Sequence, residues 1–131
     1  MINIVLDTNV LVSAALSPLG IPAQIVSFIS NSDEIQVFYS AEILGEYKKV
    51  LAYDKLKIPL DTQAIIVETL CEFGIMIAPL ASTVSMPDES DRTFCDTAKL
   101  VNAYLITGNL KHYSVEDFIV LPADFLQRAG G

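Results

Sequence analysis

The fold of this chain is set by residues 3–16, NIVLDTNVLVSAAL, in which an apolar run ends at a carboxylate and a helical pattern follows. Residues 2–6 are apolar and rich in β-branched side chains, which predicts a fully buried strand. Thr8 or Asn9 is the expected N-cap of the helix that follows. Asp7 therefore ends a buried strand, either as a cap or turn residue or as the first ligand of a metal site.

The composition indicates a folded chain with a substantial core. Of its 131 residues, 52% are hydrophobic and 18% are charged, a balance typical of compact rather than disordered proteins. The length predicts a single domain over residues 1–131. Neither a secretory signal pattern nor an apolar run of about twenty residues occurs, so we expect a soluble cytoplasmic protein with no membrane partner.

Charge and cysteine content limit the classes of function. The net charge of −8 argues against broad, non-specific nucleic-acid binding, which depends on neutralising phosphates. It does not exclude a small site at which a bound divalent cation makes the local charge positive. Cys71 and Cys95 fall within predicted helices without the spacing of a zinc site, so we expect both to be buried free thiols.

Strand and helix patterns alternate along the whole chain. Further strands are predicted at residues 35–39, 75–78, 104–107 and 118–121, and helices at about 8–17, 21–30, 40–53, 61–73, 91–102 and from 122 onward. Ser40 is the expected cap of the third helix, and Gly74 the residue that follows the fourth. This alternation predicts an α/β fold with a central parallel sheet and helices on both faces.

Polar residues stand at the predicted carboxyl ends of the strands, which is the edge where such sheets form their ligand sites. The residues placed there are Asp7, Ser40, Pro79 and residues 107–109. On a helical wheel, Glu46 lies about 60° from Ile43 and so borders the apolar stripe of its helix. Its carboxylate either reaches this edge or turns outward to water.

A third group of acids is carried by the segment MPDESDRTFCDTA. Asp91 falls on the sheet-facing side at the start of its helix, whereas Asp96, about 140° away, falls on the outer side. Asp88 and Asp96 are therefore secondary candidates. Asp91 and Asp96 are also compatible with a simpler role, since carboxylates complement the dipole at a helix N-terminus.

Converging carboxylates point to metal-assisted hydrolysis. Such groups repel one another unless a cation lies between them, and Mg²⁺ and Mn²⁺ prefer oxygen ligands. Two such ions about 4 Å apart activate a water and stabilise both the attacking and the leaving oxygen of a phosphodiester. Rival catalytic sets are missing: His112 is the only histidine, and neither a nucleophile elbow nor a glycine-rich phosphate loop occurs. A receiver domain would need an acid where IMIAPL ends the third strand.

Four segments together resemble PIN-domain proteins, in order and over essentially the whole chain. They are IVLDTNVLVSA, SAEILGEYKKVL, DESDRTFCDTAKLVNAYLITGNLKHY and IVLPADFL. The chain is similar in particular to the VapC-type ribonuclease toxins of toxin–antitoxin systems. The resemblance implies a three-layer α/β/α fold with a central parallel sheet. It also implies a Mg²⁺- or Mn²⁺-dependent endoribonuclease that acts as the toxin of a type II toxin–antitoxin system.

The resemblance also implies a set of metal ligands. Asp7, Glu46 and Asp91 match the first three acids of the family pattern and would be the catalytic ligands. The position of the fourth acid holds Asn109, which supplies one negative charge fewer. Weaker candidates for the missing charge are Asp88 and Asp96.

Neighbouring residues would support these ligands. By the same resemblance, Asn9 and Thr107 would orient Asp7 or a metal-bound water through hydrogen bonds, and Thr8 would contribute its hydroxyl. Asn9 is equally compatible with a simple helix cap. Charged residues expected near this edge, as phosphate contacts or as solvated surface groups, are Arg92, Lys111 and His112.

The implied partners are an RNA substrate, a small antitoxin that covers the acidic cleft, and a second copy of the chain in a homodimer. The alternative is a PIN-like fold that no longer cleaves and instead binds RNA or protein. Asn109 and the acidic surface favour this alternative, and metal-dependent hydrolysis separates the two.

Overall fold

The structure is a computed structural model that describes residues 1–79, 92–110, 113 and 116–130. Its strands are β1 (Ile2–Leu6), β2 (Ile35–Tyr39), β3 (Ile75–Met76), β4 (Tyr104–Ile106) and β5 (Ile119–Val120). Its helices are α1 (Thr8–Leu16), α2 (Ile21–Asn31), α3 (Ala41–Leu51), α4 (Leu60–Phe73), α5 (Arg92–Leu100) and α6 (Pro122–Gly130), with a short 3₁₀ turn at Asp54–Leu56.

The strands form one five-stranded parallel sheet in the order β3-β2-β1-β4-β5. The central strand shows that both faces of this sheet are covered. Ile4, Val5 and Leu6 point alternately to opposite faces, yet all three have no exposed surface. The predicted α/β fold with a central parallel sheet flanked by helices is therefore confirmed.

Strand order fixes where a ligand crevice forms. The chain moves from β1 to β2 and β3 on one side, and then crosses over to β4 and β5 on the other side. The carboxyl ends of β1 and β4 therefore flank the point at which the winding direction reverses, which is where open α/β sheets bind their ligands. Leu6 pairs with Ile106 in this register, and the Asp7 amide extends the pairing by donating to the Ile106 carbonyl at 2.9 Å.

Predicted helix ends agree with the structure to within a few residues, but the expected caps of α1 are wrong. Asp7, and neither Thr8 nor Asn9, occupies the N-cap position. Gly74 directly follows α4 as expected, although its backbone is extended, with φ −91° and ψ 166°, and not in the left-handed region common for such a glycine. The prediction for Ser40 is confirmed: its Oγ accepts a hydrogen bond from the Ile43 amide at 3.1 Å and caps α3.

The two cysteines differ in their surroundings. Both are free thiols, and Cys95 is buried as expected, but Cys71 is exposed. Cys71 follows the fully buried Leu70 in α4, and one residue of helix rotates a side chain by about 100° away from the core. The prediction of a buried thiol at position 71 was therefore wrong.

The first two helices are uncharged throughout. Together α1 and α2 have the length and composition of a membrane span, but they are bent by 103° at their connection. Within the described ranges, no single helix is long and apolar enough to cross a membrane.

We expect Gly74→Ala to destabilise the fold and Gly45→Ala to stabilise it slightly. A Cβ at position 74 would lie 2.5 Å from the Leu70 carbonyl oxygen and 2.7 Å from the Tyr39 ring. Because backbone forms part of this contact, we expect a loss of roughly 1–3 kcal/mol in the free energy of unfolding. A Cβ at Gly45 in α3 meets nothing within 4 Å, so alanine there should gain about 0.5–1 kcal/mol. Urea unfolding of both variants tests this, and equal effects would contradict it.

Candidate active site

Asp7 is buried at the switch point of the sheet, with only 6% of its surface exposed. Although it occupies the N-cap position of α1, its side chain makes no capping hydrogen bond. Instead its Oδ2 accepts from the Thr107 hydroxyl at 2.7 Å and from the Asn9 amide at 3.4 Å. Among the hydrogen bonds of the described residues, none reaches Asp7 Oδ1. The carboxylate is therefore held through one oxygen, and the interpretation as a helix cap is wrong.

The direction of these hydrogen bonds is fixed by the loop that follows β4. The Asn109 amide donates to the Thr107 hydroxyl oxygen at 3.1 Å, so the hydroxyl proton is directed to Asp7. The Gly108 amide donates to Asn9 Oδ1 at 3.0 Å, which turns the Asn9 amino group towards Asp7. The carboxyl ends of the neighbouring strands β1 and β4 are thus joined by side chains that converge on the Asp7 carboxylate.

Tyr47 forms a hydrogen bond with the backbone directly before Asp7. Its side chain is fully buried in α3, and its hydroxyl donates to the Leu6 carbonyl at 2.5 Å, directly before Asp7. The pairing of β1 with β2 extends only as far as Ile4 and Val37, so the hydroxyl takes the place of a strand partner for this carbonyl.

Burial raises the pKa of Tyr47 well above its usual value. The Asp7 carboxylate and Tyr39 raise it further, while the hydrogen bond to Leu6 lowers it. The phenol therefore stays protonated and lies within electrostatic reach of Asp7. None of the sequence patterns above singles out Tyr47. The feature of the sequence that could have indicated its role is a tyrosine on the inward face of α3, because a buried hydroxyl requires a hydrogen-bond partner.

Glu46 is half-buried between the buried side chains of Ile43 and Tyr47, as the helical wheel predicted. The hydroxyls of Ser40 and Thr93 are 3.3 Å apart, which joins the start of α3 to the first turn of α5. Both helices therefore begin at neighbouring positions. Four of the predicted site residues lie outside the described residues: Asp88, Asp91, Lys111 and His112.

The structure contradicts the predicted position of Asp96. The wheel placed it on the outer side of its helix, but it is buried, with 9% of its surface exposed. Five consecutive residues of α5, 94–98, are buried, because this short helix packs against β1, β2, β4 and α3. A helical wheel with one buried face does not predict the burial of side chains in a helix that packs against both the sheet and another helix. Asp7 and Asp96 are the buried acids of the described residues.

The described surroundings of Asp7 combine an unpartnered hydroxyl with few acidic side chains. Thr8 is buried, and its hydroxyl has no hydrogen-bond partner in the described part of the chain. Within residues 1–79, 92–110, 113 and 116–130, no three acid, histidine or cysteine side chains form a group that could hold a metal ion. Asp91, the third expected ligand, is not among these residues. Arg92 and Asn109 are half-buried near this edge.

We expect the unfolding free energy to fall at alkaline pH, and Tyr47→Phe to weaken that fall. The folded state keeps Tyr47 neutral, whereas the unfolded chain ionises near the ordinary tyrosine pKa of about 10. Since the unfolded state then binds fewer protons, stability decreases as the pH rises above that value. Burial and the neighbouring Cys71 also raise the pKa of Tyr39. Part of the fall in stability at alkaline pH therefore remains in the Tyr47→Phe variant.

Urea unfolding between neutral pH and about pH 11 measures this fall. At neutral pH, Tyr47→Phe should cost about 1–3 kcal/mol, because the Leu6 carbonyl loses its buried donor. Tyr53→Phe is the matched control, since Tyr53 is 38% exposed, and we expect it to change stability by no more than about 0.5 kcal/mol. An unchanged alkaline profile in Tyr47→Phe would contradict the assignment.

Comparison with known proteins places this architecture in a family. The family model for the PIN domain matches residues 3–111. An uncharacterized protein of Methanocaldococcus jannaschii is 32% identical over 119 residues, which cover 88% of this chain and 76% of that protein. A chain of VapBC2 from Rickettsia felis, crystallised with a DNA fragment from their promoter, has a similar fold with a TM-score of 0.57. It is 15% identical, and the match covers 92% of this chain and 97% of that one. This chain belongs to the PIN-domain family.

Proposed function

We propose that this protein is a Mg²⁺- or Mn²⁺-dependent endoribonuclease and the toxin component of a type II toxin–antitoxin system. PIN domains are generally nucleases, and the chain belongs to this family. The observation that carries the proposal is the state of Asp7. Its carboxylate is buried at the switch point and oriented through Oδ2 by Thr107 and Asn9, while Oδ1 accepts no hydrogen bond among the described residues.

A cation is the group that best compensates such a carboxylate. Removing an ionised carboxylate from water is costly unless an opposite charge offsets it, and the described contacts of Asp7 come from uncharged hydroxyl and amide groups. The available donors are oxygens, which suits Mg²⁺ and Mn²⁺. We propose Asp7, Glu46, Asp91 and Asn109 as ligands, with Asp88 and Asp96 as secondary candidates.

The residues of this chain would perform distinct tasks in hydrolysis. Thr107 and Asn9 fix the orientation of Asp7, and Tyr47 holds the backbone that precedes it. Asn109 contributes a neutral oxygen where an acid would add a charge. A bound divalent cation would supply a nucleophilic water at neutral pH and neutralise the charge that develops on the phosphate. Thr8, Arg92, Lys111 and His112 are proposed contacts of the substrate.

The expected partners form part of the same proposal. The structural neighbour VapBC2 is described in complex with a promoter DNA fragment, and an analogous antitoxin is the partner proposed for this chain, together with homodimer formation. The alternative function is a binding module without hydrolysis. Asn109 favours it, because this neutral side chain weakens any second metal site.

We expect Asp7→Asn and Asp91→Asn to abolish metal-dependent RNA cleavage. Each substitution keeps the shape of the side chain but removes a negative charge, so the loss should exceed the roughly 10- to 100-fold that removal of an outer-shell partner costs. Asp33→Asn is the matched control, since Asp33 is exposed and precedes β2 at the opposite edge of the sheet. A panel of structured RNAs with Mn²⁺, Mg²⁺ or EDTA provides the assay. Cleavage that survives both substitutions would refute the proposed site.

We expect Thr107→Val to lower Mn²⁺ affinity and cleavage by roughly 10- to 100-fold, and Thr107→Ser to restore both. Valine fills the same space but removes the donor to Asp7, whereas serine keeps it. Mn²⁺ binding followed by electron paramagnetic resonance separates this effect from substrate binding. Equal affinities for valine and serine variants would show that the hydroxyl does not orient the ligand.

A further inference from the structure

Half of the positive charges of this acidic chain are concentrated at one place. Of eight lysines and arginines, four lie within residues 48–57, a segment that contains one acid, Asp54. These four, here called the lysine cluster, are Lys48, Lys49, Lys55 and Lys57. All are exposed, and across the described part of the chain none of them forms an ion pair with a carboxylate.

A stabilising effect on helix α3 explains the positions of only some residues of the lysine cluster. Lys48 and Lys49 occupy the last turn of α3, where positive charge complements the helix dipole. Lys55 and Lys57 lie beyond this helix, in and directly after the 3₁₀ turn. Four ammonium groups within ten residues repel one another, so their concentration has a cost that an anionic ligand would remove.

An exposed aromatic ring lies within the lysine cluster. Tyr53 is 38% exposed, and the Lys55 ammonium lies 5.7 Å from the centre of its ring. Lysines interleaved with an accessible aromatic side chain are the combination by which proteins bind single-stranded nucleic acid, because the cations contact phosphates and the ring stacks on a base.

The lysine cluster is connected to the candidate site by a rigid element. Helix α3 begins next to Ser40, whose hydroxyl contacts Thr93 at the start of α5. Lys48 and Lys49 follow the proposed ligand Glu46 by two and three residues. Lys55 and Lys57 lie beyond the end of α3 at Leu51, which is about 8 Å along the helix axis from Glu46. A strand whose phosphate lies at the candidate site can therefore continue along α3 and reach the lysine cluster within a few nucleotides.

We infer that the lysine cluster and Tyr53 bind the phosphate backbone of single-stranded RNA on one side of the cleavage site. The inference rests on the proposed function for the identity of the ligand. It gives the negatively charged chain a local surface of positive charge, and it makes binding depend on RNA length, since a fragment that fills only the candidate site does not reach Lys55 and Lys57 beyond the end of α3.

The test compares two double variants that remove the same charge. Lys55→Gln/Lys57→Gln acts on the lysine cluster, and Lys99→Gln/Arg128→Gln removes two exposed cations from α5 and α6. Affinity for a labelled single-stranded RNA is measured in EDTA over a range of salt concentrations. Loss of two phosphate contacts should reduce the slope of log affinity against log salt by about 1.4. We expect a several-fold loss of affinity for the first variant and less than twofold for the control.

Cleavage measurements distinguish this inference from the proposed function. On a long RNA, Lys55→Gln/Lys57→Gln should raise KM and leave kcat unchanged, and on the shortest cleaved RNA it should change neither. Equal losses in both double variants, or a wild-type protein that binds no RNA at low salt, would overturn the inference. Binding that depends on the lysine cluster without any metal-dependent cleavage would support the inference while refuting the nuclease.

Discussion

The hydrogen bond between Thr107 and Asp7 is the contact on which the candidate site depends. It joins residues that are 100 positions apart in the chain across a distance of 2.7 Å, so it forms only if β1 and β4 pair in one register. Burial alone does not select that register, because Ile4, Val5 and Leu6 are all fully buried whichever face they point to. In that register Leu6 pairs with Ile106, and the Asp7 amide donates a hydrogen bond to the Ile106 carbonyl. A slip of one residue would exchange the faces of every side chain.

Placing a carboxylate at this position conflicts with the stability of the fold. Asp7 is almost fully removed from water, and the described donors that reach it are uncharged. The Asp7 carboxylate in turn raises the pKa of the buried Tyr47 phenol. A buried polar group that is incompletely compensated is expected at a functional site. Asp7 fits that pattern, whereas a helix cap would have used its oxygen on the amides of α1.

Sequence patterns predicted the elements of this fold well because the determinants are local. The periodicity of apolar residues and the β-branched side chains predicted the strands, and the capping serine predicted the start of α3. The rule that ligands bind at the carboxyl ends of parallel strands placed Asp7 at that edge of the sheet. What the patterns left open or predicted wrongly has non-local causes. They left the role of Asp7 open because its hydrogen-bond partner Thr107 lies 100 positions away in the chain. Asp96 is buried because α5 is enclosed by three strands and a helix, which a wheel for a single helix does not represent. Tyr47 was missed because its role depends on where β1 and β2 separate.

Net charge is a weak guide to the partners of a chain that has to bind both a cation and a polyanion. A nearby ammonium group weakens the binding of a metal ion to carboxylates, because like charges repel. Contact with RNA requires lysines that no carboxylate neutralises. Charges on the protein interact only weakly where they are separated by more than about 8 Å at physiological ionic strength. Helix α3 ends at Leu51, about 8 Å along its axis from Glu46, and Lys55 and Lys57 lie beyond that end. A polymer with regularly spaced phosphates spans that distance, whereas the charges on the protein do not interact strongly across it. The excess of acids over the whole chain is therefore compatible with an RNA substrate.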